Sequence, residues 1–337
     1  MSTKPKYFDA HSHINITAYA DDYKEIVSRA LGAGVGMVNV GTQKDTSLRA
    51  VTLAHEYENQ PVYAAVGLHP VHTGPSFHDE TEIDPLSYSR ELESGGEVFD
   101  YEYYKTLAED SKVVAIGECG LDYATFVREE HERIQNRASS ESMEGREGGL
   151  TDEEIKLHKK KQKEVFLMQM KLAQEVGKPL MIHCRSGVPK RASSDKAGRD
   201  AYYDLLEILK TQNYLPTRDI QKGHKLKTSS IMHFFAGTVE EAKRFLDLGF
   251  SFTFGGAITF PKKQGSPDYA AIVKMTPMER ILSETDPPFL TPVPYRGKRN
   301  EPAYIVHTVK KLAELKGVSE EEMARVTTEN AKKVFGI

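Results

Sequence analysis

Short apolar runs alternate along this chain with longer stretches in which apolar positions recur every three or four residues. Eight runs read as strands: Lys6–His13 (KYFDAHSH), Val35–Val40 (VGMVNV), Val62–Gly67 (VYAAVG), Val113–Glu118 (VVAIGE), Leu180–Cys184 (LMIHC), Ser229–His233 (SSIMH), Phe250–Phe254 (FSFTF) and Ile281–Asp286 (ILSETD). Each is short, rich in β-branched or aromatic residues, and bounded by Gly, Pro or polar turns. Helical periodicity fills most of the gaps, over Asp21–Ala33, Thr46–Glu58, Tyr101–Glu109, Asp152–Val176, Arg199–Thr211 and Val239–Leu248. Two more helices close the chain near Pro302–Lys316 and Ser319–Phe335, the second opening on Ser319 and Glu322 in capping-box spacing. Strands that alternate with helices make a parallel sheet, and eight of them favour an α/β fold of the (β/α)8 TIM-barrel type over an open sheet.

Three polar stretches interrupt the rhythm, at about 75–98, 126–150 and 187–198. The rhythm resumes after each, so they read as loop insertions after strands 3, 4 and 5 of one domain spanning residues 1–337. In a barrel those loops lie at the C-terminal face, where active sites form.

Charge narrows the partners. Lys and Arg number 45 and Asp and Glu 49, a net charge of −4. That excludes a broadly basic nucleic-acid coat, but not a nucleic-acid enzyme whose positive charge is local or supplied by metal ions. No apolar run approaches the roughly 20 residues of a membrane helix, so no membrane partner is expected. The start, MSTKPKYFDAHSH, has no apolar signal-peptide core, and two cysteines fit a reducing compartment. The expected location is the cytoplasm, or the nucleus in a eukaryotic cell.

The candidate chemistry lies at the strand ends. Asp9, His11 and His13 alternate on the first strand, so both imidazoles aim into the barrel from its upper end, a ready divalent-metal site. Glu118, His183, His233 and Asp286 end strands 4, 5, 6 and 8. Buried strand ends seldom carry such groups without a partner, and six of them on one rim point to a metal centre.

These residues stand in motifs that resemble the TatD-type metal-dependent nucleases, within the amidohydrolase-like barrels: YFDAHSHIN (Tyr7–Asn15), GLHP (Gly67–Pro70), IGECGLDY (Ile116–Tyr123), PLMIHCR (Pro179–Arg185), MHFFAGT (Met232–Thr238), SETDPPFL (Ser283–Leu290) and RNEP (Arg299–Pro302). The resemblance implies two divalent metal ions, Mg²⁺, Mn²⁺ or Zn²⁺, bridged by Glu118. His11, His13 and Asp286 would complete one site, and His183 and His233 the other. It also implies that Asp286 takes a proton from the attacking water. Glu284, one layer deeper, is expected to orient a ligand.

For the substrate, His69 resembles the family's cleft histidine, and Arg185 has the parity to face the same rim and meet a phosphate. Arg299 and Asn300 either grip the nucleic-acid backbone or fix the loop after strand 8. Cys119 and Cys184 each follow a ligand by one residue and turn away from the site. The run after His183 departs from the family's HCR-x-A-x-x-(D/E) pattern, so Asp200 or Asp204 would have to restore the acidic position. The basic run Lys159–Lys163 reads as a solvated helix face.

The implied activity is a phosphodiester hydrolase on DNA, with RNA as a further substrate, trimming 3′ ends as a 3′–5′ exonuclease. A D-aminoacyl-tRNA deacylase or another amidohydrolase-type hydrolase on the same site is the alternative. The fourth strand offers Glu118 and no lysine for carboxylation, which disfavours a cyclic amidase. No obligate protein partner is evident.

Overall fold

In the computed structural model, which describes residues 4–74, 96–124, 151–187, 201–214, 230–263 and 265–337, eight parallel strands follow one another in chain order. They are β1 (Tyr7–Ser12), β2 (Val35–Val40), β3 (Val62–Val66), β4 (Val113–Asp122), β5 (Leu180–Arg185), β6 (Ile231–Met232), β7 (Ser251–Phe254) and β8 (Ile281–Ser283). Helices lie between them: α1 (Tyr23–Gly32), α2 (Lys44–Glu56), α3 (Tyr101–Ala108), α4 (Asp152–Val176), α5 (Ala201–Thr211), α6 (Val239–Asp247) and α7 (Tyr269–Met275), with α8 (Ile305–Lys316) and α9 (Glu320–Phe335) after β8. This is the expected TIM barrel. The three expected insertions fall almost entirely outside the described residues.

The seam between β8 and β1 is stitched by mixed bonds. Ser283 Oγ donates to the Phe8 carbonyl at 3.2 Å, Asp286 N–H donates to the His11 carbonyl at 2.9 Å, and Thr285 N–H donates to Asp9 Oδ1 at 2.9 Å. Asp9 is therefore a fastener between the first and last strands.

Buried apolar side chains fall into two clusters. Phe8, Ala10, Val38, Val40, Ala65, Met181, Ile231 and Leu282 fill the barrel interior. Phe335, Val334 and Ala331 of α9 join them and plug the bottom, with the Phe335 ring 6.1 Å from that of Phe8. The larger cluster, including Met37, Ala64, Ile182, Met232 and Phe252, packs the outer face of the strands against the helices. With its floor closed by apolar packing, the barrel opens at the carboxyl ends of its strands.

Local chemistry sets the helix ends. Thr151 and Glu154 cap α4 reciprocally, and Gly177 ends it in the left-handed region at φ 70. At α9 the expected box is half formed: Ser319 accepts from Glu322 N–H, but Arg325 holds the Glu322 carboxylate at 2.7 Å.

Candidate metal centre

Strand irregularities aim the key side chains. Phe8 and Ala10 face the interior, so unbroken alternation would send His11 and His13 outward. The pairing of β1 with β2 slips between Asp9 and Ser12, and both rings turn in. β4 uses the same device. Its pairing with β5 slips between Ile116 and Cys119, which both pack outside, and Glu118 faces in. β4 also runs four residues further than expected, to Asp122. Gly120 permits this, at φ 138, because a Cβ there would lie 2.0 Å from the His183 carbonyl oxygen. His233 follows β6 by one residue, and Asp286 follows β8 by three.

Glu118 stands at the middle of the rim. Its Oε2 lies 3.5 Å from Nε2 of both His11 and His13. Its Oε1 lies 2.9 Å from His183 Nδ1 and 3.4 Å from Nε2 of both His233 and His69. Asp286 Oδ1 lies 3.5 Å from His13 Nε2 and 3.7 Å from His11 Nε2. Among the described residues, four trios have potential donor atoms within 4.8 Å of one another: His11, His13, Glu118; Glu118, His183, His233; His11, His233, Glu284; and His69, Asp122, His183. The first two share Glu118.

The groups behind each ring decide which nitrogen faces inward. His13 Nδ1 lies 2.9 Å from the Val40 carbonyl, which only accepts, so Nδ1 carries hydrogen and Nε2 offers a lone pair. His233 Nδ1 faces Glu284 Oε2 at 2.9 Å, and Glu284 Oε1 accepts from Phe234 N–H at 3.0 Å. Glu284 thus orients the ring from behind, as expected. His11 Nδ1 meets Met181 Sδ at 3.0 Å. The Nε2 atoms of His11 and His13 lie 2.9 Å apart beside two carboxylates, and with no proton between them both offer lone pairs inward. Such a ring of electron-pair donors suits a cation, and mixed imidazole and carboxylate donors suit Zn²⁺, Mn²⁺ or Mg²⁺.

The protein's own electrostatics favour positive charge there. Burial opposes a proton on His233, but Glu284 and Glu118 outweigh it and push the pKa up to about 10. Burial likewise opposes protons on His13 and His183; Asp286 and Glu118 raise the first, and Asp122 and Glu118 raise the second. Burial works against charge on Glu118, yet His69, His233 and His11 hold its carboxyl well below the usual range. Asp286 is also lowered, its burial outweighed by His13 and His233. His11 is the exception: burial, then His233, lowers it to about 4.

The expected substrate contacts divide. His69 joins the centre. Its Nδ1 accepts from Val71 N–H at 3.2 Å, which leaves Nε2–H directed at Glu118 Oε1. A ring so engaged donates to an anion rather than binding a metal. Arg185 reaches the rim, but both Nε and Nη2 grip Asp122 Oδ2, at 2.9 and 2.8 Å, with the side chain half exposed. A guanidinium on Asp122 makes the His69, Asp122, His183 trio a poor cation site. Of the two alternatives for Arg299 and Asn300, their contacts are those of the loop-fixing one. Asn300 is fully buried and donates to the Thr285 and Phe289 carbonyls, each at 2.7 Å. Arg299 lies over the Tyr19 ring, donates to the Ala18 carbonyl and pairs with Asp22.

Asp204 is buried under Tyr123, whose hydroxyl donates to it at 2.8 Å, and Lys163 pairs with it at 2.8 Å. Lys159 lies 4.4 Å from the Tyr123 ring centre, so part of the basic run packs inward instead of forming a purely solvated face. Asp200 lies outside the described residues. Sequence reasoning passed over Asp122; the signal was available, since Glu118, Gly120 and Asp122 share parity once the strand is extended.

A family model described as TatD related DNase matches residues 8–336. The chain is 35% identical over 331 residues to the uncharacterized metal-dependent hydrolase YabD of Bacillus subtilis, covering 98% of this chain and 99% of that one. It is 28% identical over 333 residues to the 3′-5′ ssDNA/RNA exonuclease TatD of Yersinia pseudotuberculosis, covering 97% and 98%. The crystal structure of the TatD homologue YjjV from Escherichia coli superposes with a TM-score of 0.68 at 22% identity, over 99% of this chain and 100% of that one, a likeness of fold.

Proposed function

The chain belongs to the TatD related DNase family, and from that premise we propose that it is a divalent-metal-dependent phosphodiester hydrolase that removes nucleotides from the 3′ ends of DNA, with RNA as a further substrate. The observation that carries the reading is Glu118. Its two oxygens face different sets of imidazoles, His11 and His13 on one side and His183 and His233 on the other. A carboxylate so placed is built to be shared by two cations.

In this reading Glu118, His11, His13 and Asp286 would hold one ion, and Glu118, His183 and His233 the other. Divalent ions held there would lower the pKa of a water and offset charge on a phosphoryl oxygen. The remaining work belongs to side chains. Asp286 accepts the proton of the attacking water. His69 Nε2–H donates to a non-bridging phosphate oxygen, and the exposed part of Arg185 adds positive charge beside it. Digestion of 3′- and 5′-labelled single- and double-stranded DNA and RNA in Mg²⁺, Mn²⁺ or Zn²⁺ tests the reading. Release of mononucleotides from the 3′ end is expected. Metal-dependent release of D-amino acids from tRNA, with nucleic acid left intact, would replace it with a deacylase.

A further inference from the structure

β3 and β4 pair only as far as Val66 and Ile116. Beyond that point, two glutamines of α4 bond their strand ends in the manner of a neighbouring peptide. Gln169 Oε1 accepts from Leu68 N–H and its Nε2 donates to the Leu68 carbonyl, both at 2.9 Å. Gln162 does the same to Asp122, with both bonds at 3.0 Å. Both glutamines are buried, and seven residues, about two turns, place them on one helix face. Gly67 makes room for the first, since a Cβ there would lie 2.7 Å from Gln169 Oε1.

The clamped peptides are those that carry the centre's outer groups. Leu68 precedes His69. Asp122 backs His183 at Nε2 and holds Arg185. Satisfying buried backbone groups would need no such coincidence.

We infer that Gln162 and Gln169 are positioning residues, and that α4 is a splint fixing His183 through Asp122 and His69 through Leu68. The inference rests on the proposed metal centre, in which His183 holds an ion and His69 meets phosphate. It predicts separable effects. Gln162→Met and Gln169→Met each remove both hydrogen bonds at similar volume. Calorimetric titration of the full chain with Mn²⁺, then of the Mn²⁺-loaded protein with inorganic phosphate, reads the two arms.

Changing the direct partner of a metal-bound histidine typically costs about 10- to 100-fold in metal affinity, so Gln162→Met, one step further out, is expected to weaken Mn²⁺ binding roughly 3- to 10-fold. Gln169→Met is expected to weaken phosphate binding and to move Mn²⁺ affinity less than Gln162→Met does, since His69 reaches the ions only through Glu118. Leu172→Ala thins the packing of the same helix and serves as the stability control, lowering Tm without moving either affinity. Ring ¹⁵N shifts in metal-free protein give an independent readout: His183 moves in Gln162→Met and His69 in Gln169→Met. Should wild type bind no Mn²⁺, the metal reading falls, and these shifts alone still decide the splint. Should a Met variant not fold, Gln162→Glu and Gln169→Glu keep one of the two bonds and are expected to show the same pattern at reduced size. Variants that track Leu172→Ala in every readout, or that each shift both affinities alike, overturn the inference.

Discussion

Asp286→Asn separates chemistry from metal retention. Asp286 has left-handed backbone, φ 54, a region that asparagine tolerates as aspartate does. Its N–H bond to the His11 carbonyl is a backbone bond and survives the change. The substitution therefore removes charge and basicity and little else. The Asp286 side chain is 11% exposed against 5% for Glu118, so of the two carboxylates facing His11 and His13 it is the one more open to water. Two losses follow. Ion binding weakens, because a carboxamide oxygen is a poorer donor, and added metal corrects this. Loss of a general base costs about 10²- to 10⁴-fold, or roughly 2.7–5.5 kcal/mol of barrier, and added metal does not correct it. The assay is single-turnover digestion of an end-labelled single-stranded oligonucleotide across a Mn²⁺ titration. The expected result is a higher metal midpoint and a plateau rate at least ~10²-fold below wild type, with KM little changed. A plateau that returns to near the wild-type rate would leave Asp286 a ligand only and refute its role as base.

Further outcomes follow from the same geometry. Glu284→Gln loses the charge behind His233 and should weaken metal affinity about 10-fold or more while the protein stays folded, as read by titration calorimetry; unchanged affinity would show that the ring needs no carboxylate behind it. Asn300→Ala strands the Thr285 and Phe289 carbonyls and should cost about 2–4 kcal/mol in urea unfolding, whereas a variant of wild-type stability and lowered substrate affinity would restore a substrate-binding role. Because the folded pKa of His233, about 10, stands above the ordinary 6.5, metal-free protein draws stability from this proton in full below about pH 6.5 and loses it as pH rises through about 10. A metal displaces that proton, so binding at pH 8 should release protons, seen as a dependence of the calorimetric heat on buffer ionisation enthalpy. Heats that are the same in all buffers would contradict it.

Much of this architecture was legible because it depends on local pattern. Strand runs with period two and helices with period 3.6 are written residue by residue, and α4 begins at Asp152 and ends at Val176 as its periodicity predicts. The short α7 lacked enough turns to declare itself. His11, His13, Glu118, His183, His233 and Asp286 were legible as a set because polar groups at buried strand ends are costly and therefore informative. Their exact aim was not, since it comes from register slips in β1 and β4 that depend on the partner strand. The choice between the two roles open to Arg299 and Asn300 was also beyond the sequence. A polar side chain in a loop shows its type but not whether its hydrogen bonds are spent on carbonyls 11 and 15 residues away, as those of Asn300 are.

The stitched seam has a consequence for biosynthesis. Phe8 and Ser283 meet across 275 residues of chain, and the same seam joins the strand bearing His11 and His13 to the segment bearing Asp286. A ribosome delivering about 5–20 residues per second exposes the first strand many seconds before the last. Throughout that interval the two histidines have no Asp286 beside them, and α9 has not yet floored the barrel. The candidate centre is therefore among the last features of the molecule to be assembled.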